Sequence, residues 1–211
     1  MPQVILLLFS LIISYLLGAI PTAYLFGKFL RGIDIRQHGS GNVGATNAFR
    51  VLGKGIGTVV LIVDILKGFL PTLAVANVLS VTEPWMRLLC GLAAVCGHNW
   101  SVFLNFKGGK GIATGFGLIL GFACADQAMR PVLLLTLALW IFVFLSTGFV
   151  SLASILAVVL LPVWMLMTSQ PFYVIVLGIV LCIFVVLRHR PNIKRLLEGQ
   201  EHQVDFPWRR R

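Results

Sequence analysis

Seven stretches of the chain, residues 4–25, 56–79, 85–104, 112–125, 131–145, 149–167 and 172–187, are almost wholly apolar, and this repetition decides the fold class before any motif is considered. A helical crossing of a bilayer needs about 20 apolar residues. In hydrocarbon every backbone N–H and C=O must be satisfied by the chain itself, which leaves helices and closed barrels as spanning structures. A barrel would alternate polar and apolar residues, and these stretches do not. Only 11% of the 211 residues are charged while 58% are hydrophobic, which excludes a soluble globular domain. The chain reads as an all-α integral membrane protein, a single bundle over residues 1–211.

The first stretch has no basic residues before it and continues apolar past Gly18-Ala19-Ile20-Pro21, so it reads as a membrane helix and not as a signal peptide. The fourth, 112–125, is short enough to double back, which makes the count depend on charge. With seven crossings Lys28, Arg31, Arg36, Arg50, Lys54, Lys107, Lys110, Arg188, Arg190, Lys194, Arg195 and Arg209, Arg210 and Arg211 share one side. Arg87 and Arg130 take the other, a bias of 14 against 2. Basic residues collect on the cytoplasmic side. The expectation is therefore seven transmembrane helices, N-terminus outside and C-terminus cytoplasmic.

A net charge of +10 raises the question of nucleic acid, but the basic residues are scattered among apolar segments and mark topology instead. No nucleic-acid partner is expected. Cys90, Cys96, Cys124 and Cys182 sit in apolar stretches without CxxC spacing, so they imply neither a metal site nor a disulfide framework. No metal and no cofactor are expected.

The polar run Gly39-Ser40-Gly41-Asn42-Val43-Gly44-Ala45-Thr46-Asn47-Ala48-Phe49-Arg50 stands out against this background. Gly39 and Gly41 permit backbone turns closed to other residues and let N–H groups approach a ligand. Ser40, Asn42, Thr46 and Asn47 add neutral hydrogen-bonding groups, and Arg50 adds a planar cation suited to phosphate. Together they read as an anion cradle. A second cluster, Gly108-Gly109-Lys110-Gly111 followed by Ile112-Ala113-Thr114, is not a nucleotide-binding P-loop, because it lacks GxxxxGK and a Ser or Thr after the lysine. It does place backbone N–H groups and a lysine at the start of an apolar helix, where phosphate is favoured. Residues 53–58 match 109–114 at five of six positions, which points to Lys54 as a second such site.

Asp64 and Lys67 lie one helical turn apart, about 12 and 16 Å into their span, and read as a paired structural tie. His98, near the inner end of the third span, reads as a satisfied interhelical histidine. At the end of the last span Pro191 fits the first turn of a new interfacial helix, leaving His189 at the end of the span and Asn192 just past the bend.

These pieces, GSGNVGATNAFR (39–50), Asp64 with Lys67-Gly68, GHNW (97–100), FKGGKGIAT (106–114), VSLASI (150–155) and RHRPNIKRL (188–196), together resemble the PlsY family of acyl-phosphate:glycerol-3-phosphate acyltransferases, in family order and over nearly the whole length. Two positions depart from the pattern: Pro191 stands where the family commonly has an acidic residue, and Ser101 where it often has proline. The resemblance implies a bacterial inner-membrane enzyme, its active site on the cytoplasmic face, that moves a fatty acyl group from acyl phosphate to glycerol 3-phosphate to give lysophosphatidic acid. It implies roles for Ser40, Asn42, Thr46, Arg50, Lys110, Ser154, His189 and Asn192. The implied partners are acyl phosphate, glycerol 3-phosphate, membrane lipid and the soluble enzyme that makes acyl phosphate. Catalysis is expected to rest on positioning and charge stabilisation by Arg50, Lys110 and backbone amides. His189 and Asn192 orient the acceptor, and either the donor phosphate or His189 takes its proton. The rival reading, an organophosphate transporter, would put its site near the bilayer midplane, where only Asp64 and Lys67 lie.

Overall fold

A computed structural model of the chain describes residues 3–204 and 206. Arg209, Arg210 and Arg211, three of the 14 basic residues on the expected cytoplasmic side, and Met1, expected outside, lie outside the described residues. Among the described residues all regular structure is helical, and the chain packs as two units, Met1–Gln127 and Ala128–Arg211.

In the first unit α1 (Gln3–Ala19) and α2 (Thr22–Arg31) meet at a 40° bend, so the first apolar stretch is broken where a continuous helix was expected. Pro21 supplies the reason: it offers no N–H to the preceding turn and stands as the N-cap of α2. Lys28 and Arg31 occupy the last turn of α2, where cations complement the helix dipole, and Gly32 closes it in the left-handed conformation. A loop then leads to α3 (Ala45–Val51) and α4 (Lys54–Leu70). Pro71 would interrupt α4, but the chain continues through a π-helical turn, Pro71–Val75, into α5 (Ala76–Val78), giving one 25-residue apolar helix. The unit ends with α6 (Pro84–Asn99) and α7 (Ile112–Ala125).

Small residues let these helices touch. Gly18 of α1 lies on the backbone of Ala94 in α6, and Gly97 of α6 on the Tyr15 carbonyl of α1. Gly68 of α4 lies against the Thr114 carbonyl of α7, and Gly117 of α7 against that of Ile65. At each point a Cβ would overlap main-chain atoms. Such contacts drive association in lipid, where burying apolar surface between helices gains little.

The second unit comprises α8 (Arg130–Thr147), α9 (Val150–Met167), α10 (Phe172–Arg188) and α11 (Arg190–Leu197). The middle helix, α9, receives Gly178 of α10 against Met165. Gln170 ties the α9–α10 turn back to the start of the unit, its Nε2 donating to the Ala128 carbonyl at 2.8 Å.

All seven apolar stretches are helical along most of their length. Three helices, Lys54–Val78, Gln127–Thr147 and Val150–Met167, are long and apolar enough to cross a membrane on their own, and the bent pairs α1–α2 and α10–α11 raise the number to five. At 14 and 16 residues, α7 and α6 span only about 21 and 24 Å, short of a hydrocarbon core of about 30 Å. The third stretch is helical only to Asn99, and its remainder turns through a 3-10 segment, Val102–Leu104.

Candidate active site

The Gly39–Arg50 run is a built loop. Its chain leaves α2 through a 3-10 turn, Ile35–Gln37, capped by Asp34, whose carboxylate accepts from the Arg36 backbone N–H at 3.0 Å and from its guanidinium at 2.7 to 3.2 Å. The hydrogen bonds and the charge of Arg36 hold the Asp34 carboxyl down at about 2, and the Arg36 guanidinium sits 4.9 Å over the Tyr24 ring. Gly39 and Gly41 follow with φ of +59° and +70°, which only glycine adopts without strain.

Asn47 is the hub of this loop. Its Oδ1 accepts from Ser40 N–H at 2.9 Å, and its Nδ2 donates to the carbonyls of Asn42 at 2.9 Å and His38 at 3.1 Å. Buried to 1% exposure, it turns its whole amide onto the loop backbone. The structure thus places Asn47 as the brace of the cradle, while Ser40, Thr46 and Arg50 are exposed. Thr46 and Arg50 stand four residues apart on α3 and share a face. The Asn42 side chain closes a local turn by accepting from Gly44 N–H at 2.9 Å. The underside of α3 is fixed by Ala48, which packs with Ile35, Val43, Leu52, Val60 and Leu104.

The Gly108–Gly111 loop is equally constrained. Gly109 N–H donates to the His98 carbonyl at 2.9 Å and Gly108 N–H to that of Asn99 at 3.1 Å, so these amides clamp the loop to the end of α6. Sequence reasoning expected them at a ligand. Glycine is required because a Cβ at 109 would strike the His98 ring and one at 111 the Asn99 amide. Lys110 is half-buried just before Gly111, which caps α7 with φ +78°. The similar segment at α4 has a different register: Gly53 is the cap and Lys54 is already the first helical residue. The two lysines therefore do not occupy equivalent places at their helix starts.

Val43 and Leu104 pack in one cluster, and a narrow cleft at the α1–α2 bend, walled on one side by residues 18–22, is also lined by Val43, Leu104, Gly108, Ser101, His98 and Lys67. Below it Lys67 Nζ donates to Asp64 Oδ1 at 2.6 Å and to the Ile20 carbonyl at 2.6 Å, with His98 Nδ1 3.9 Å from the same carboxylate oxygen. Ser101 Oγ donates to the Ala19 carbonyl at 2.5 Å, closing the α1–α2 bend onto the end of α6.

In the second unit the chain bends by 61° between α10 and α11, with Pro191 in the first turn of α11 as expected. His189 sits at the bend, 3% exposed, with Nδ1 2.8 Å from the Val185 carbonyl. A carbonyl only accepts, so Nδ1 carries the proton and Nε2 is the basic nitrogen of the neutral ring. Asn192 is 5% exposed, one turn on. Ser154, implied as a substrate group, is 2% exposed, donates to the Val150 carbonyl at 2.8 Å and accepts from Trp140 Nε1 at 3.1 Å, which ties α9 to α8. A residue that sequence reasoning missed, Glu201, accepts from Asn192 Nδ2 at 2.6 Å and from Arg195 Nε at 2.7 Å. No spacing or composition distinguishes it from the polar residues around it.

An apolar helical bundle with hydroxyls and a guanidinium exposed on a braced glycine loop is the class of membrane protein that suits a phosphorylated substrate. Comparison with known proteins gives the class a family. The glycerol-3-phosphate acyltransferase profile matches residues 8–199. Relatives named glycerol-3-phosphate acyltransferase include that of Fusobacterium nucleatum, 42% identical over 93% of this chain and 97% of the relative, and that of Bacillus velezensis, 44% identical over 93% and 96%. Crystal structures of PlsY, an integral membrane glycerol 3-phosphate acyltransferase, superpose with a TM-score of 0.84 in the glycerol 3-phosphate form and 0.81 in the lysophosphatidic acid form, each 40% identical. They cover 94% of this chain and 96% and 95% of theirs. The chain belongs to the glycerol-3-phosphate acyltransferase family, and it is an integral membrane acyltransferase.

Proposed function

We propose that the chain transfers a fatty acyl group from acyl phosphate to glycerol 3-phosphate, giving lysophosphatidic acid and inorganic phosphate, with the whole of residues 1–211 acting as one acyltransferase domain. The hydroxyl oxygen of the acceptor attacks the acyl carbon, the bond from that carbon to the phosphate oxygen breaks, and phosphate leaves with the electron pair. The acceptor's proton passes to the departing phosphate or to His189 Nε2. The donor is already activated, so no covalent enzyme intermediate is required. Arg50 and Lys110 supply the charge for phosphate, Ser40, Asn42 and Thr46 the neutral contacts, and His189 and Asn192 orient the acceptor. Asn47, Gly39, Gly41, Gly108, Gly109 and Gly111 shape the two loops that carry Ser40, Asn42, Thr46, Arg50 and Lys110, and Ser154 joins the substrate-binding set. The observation that carries this reading is the 40% identity, over nearly the full chain, to a structure in a glycerol 3-phosphate form.

The test is to incubate the purified protein with labelled glycerol 3-phosphate and either palmitoyl phosphate or palmitoyl-CoA. Product from palmitoyl phosphate alone is expected. Product from palmitoyl-CoA alone would overturn the donor assignment.

The same reading places the enzyme in the bacterial inner membrane with seven crossings, its N-terminus outside, its C-terminus and site cytoplasmic, and the soluble producer of acyl phosphate as its supplier. The 14-to-2 division of basic residues supports it. A reporter fused at the C-terminus is expected to be active in the cytoplasm and one fused at the N-terminus on the outer side. Both reporters on the same side would mean an even number of crossings.

A further inference from the structure

We propose that residues 102–107, in the loop joining α6 to α7, insert into the headgroup–acyl boundary of the bilayer and bring the acyl donor to Lys110 from within the leaflet, a reading that rests on the seven crossings and the acyl-phosphate donor proposed above. The two helices beside this loop are too short to hold both their ends clear of the hydrocarbon. At about 24 Å for α6 and 21 Å for α7, each falls well under the core thickness of about 30 Å. Polarity decides which end gives way. At the far end α6 begins beside Glu83 and Arg87, and α7 runs out at Asp126 with Arg130 beyond, charges that hold that end at the water. The shortfall therefore falls on the loop. A short span draws its flanking residues toward the bilayer, with long cations snorkelling back to the headgroups.

The loop is built for that place. Leu104 is its buried root, packed in the cluster that holds Ala23, Ile35 and Val43. Ser101 closes the turn, its carbonyl accepting from Leu104 N–H at 3.1 Å and from Phe106 N–H at 2.8 Å. With the backbone so fixed, Val102, Phe103 and Phe106 face outward, 41%, 56% and 60% exposed. Phe106 does so at φ +60°, a left-handed conformation that a bulky side chain seldom takes, and Asn105 before it has φ +51°. Such strain persists only where surrounding bonds impose it. Water gives two outward rings no return, whereas aromatic residues collect at the membrane interface. Lys107 follows them, exposed, and cations near that surface attract anionic lipid. The last turn of α2, whose Ala23 shares the Leu104 cluster, has the same mixed character, with Phe29 and Leu30 exposed between Lys28 and Arg31. Lys110 lies three residues past Lys107 at the start of α7, which sets it at headgroup level. An acyl phosphate held in the leaflet by its chain carries its own phosphate at that level.

The experiment replaces Phe103, Phe106 and, as a reference, Ile62 on the exposed face of α4, one at a time, by the photoreactive p-benzoylphenylalanine. The protein is irradiated in vesicles of phosphatidylethanolamine and phosphatidylglycerol and weighed intact by mass spectrometry. Phospholipid adducts at positions 103 and 106 are expected within about threefold of the yield at Ile62. No adduct above the unirradiated background at either position would overturn the proposal, since that ring would then face water or protein. A second arm is kinetic. Phe103→Ser with Phe106→Ser is expected to raise KM for palmitoyl phosphate presented in vesicles about fivefold or more and to leave KM for glycerol 3-phosphate within about twofold. Phe103→Trp with Phe106→Trp, which keeps interfacial rings, is expected to stay within about twofold for both substrates. Should the serine pair fail to fold, Phe106→Ser alone is expected to raise the donor KM and not the acceptor KM. Equal changes in both constants, or none, would overturn the donor's route through the leaflet. Absence of acyl transfer in the unmodified protein would strike the proposed function, whereas the adducts would still report the depth of the loop.

Discussion

Arg50→Ala is expected to lower kcat/KM by roughly 10²- to 10³-fold, about the loss that follows removal of one preorganised charge-stabilising donor. Arg50 stands exposed in the last turn of α3, and among the described residues it makes no ion pair. Its guanidinium is thus available to an anion that arrives from outside. Arg50→Lys is expected to recover only part of the loss, because an ammonium is a point charge that cannot present a planar pair of donors to phosphate. The controls are melting temperature and membrane yield, which should stay near those of the unmodified protein, since α3 is fixed by Ala48 and Asn47 on its other face. Near-normal turnover in Arg50→Ala would remove this residue from the site.

Why α3 carries Arg50 so cleanly was only half visible beforehand. Seven apolar stretches and a glycine-dense polar run are properties of composition and spacing, and they translated directly into helices and a braced loop. Pro191 at the start of α11 was legible for the same reason, because proline restricts its own backbone wherever it sits. Direction was harder. An asparagine amide binds an anion and a carbonyl with the same hydrogens, so nothing local told that Asn47 faces inward while Ser40 and Thr46 face out. Gly108 and Gly109 were read as N–H donors to a ligand, yet their hydrogens go to α6, a choice made by the close approach of His98 and Asn99. The matching segments at Lys54 and Lys110 looked like a duplication, but helix register depends on which glycine caps, and the two caps differ by two positions relative to the lysines. Glu201 was invisible for a further reason. Its contacts rest on a return of the chain to the α8–α9 turn that no periodic pattern announces.

Asp64→Ala is expected to be the most destabilising single change in the first unit. Asp64 is 1% exposed and Lys67 6%, and their 2.6 Å bond is reinforced by the Ile20 carbonyl at the α1–α2 bend. Removing one partner of a buried ion pair costs about 3–5 kcal/mol, because the other charge is left without compensation. For a chain of this size that corresponds to a fall in melting temperature on the order of 10 °C. The loss should spread beyond the pair. Lys67 lines the cleft at the α1–α2 bend, and His98, whose carbonyl holds Gly109, lies 3.9 Å from the Asp64 carboxylate. Replacing the whole pair, Asp64→Leu with Lys67→Met, removes both buried charges at once and is expected to recover most of the stability, since well-packed apolar side chains replace buried ion pairs at little cost. The decisive measurement is the double variant, melted in detergent and assayed per mole of folded protein. Recovery of both stability and acyl transfer identifies a structural tie. A double variant that melts normally but transfers no acyl group would move Asp64 and Lys67 from the scaffold into the chemistry.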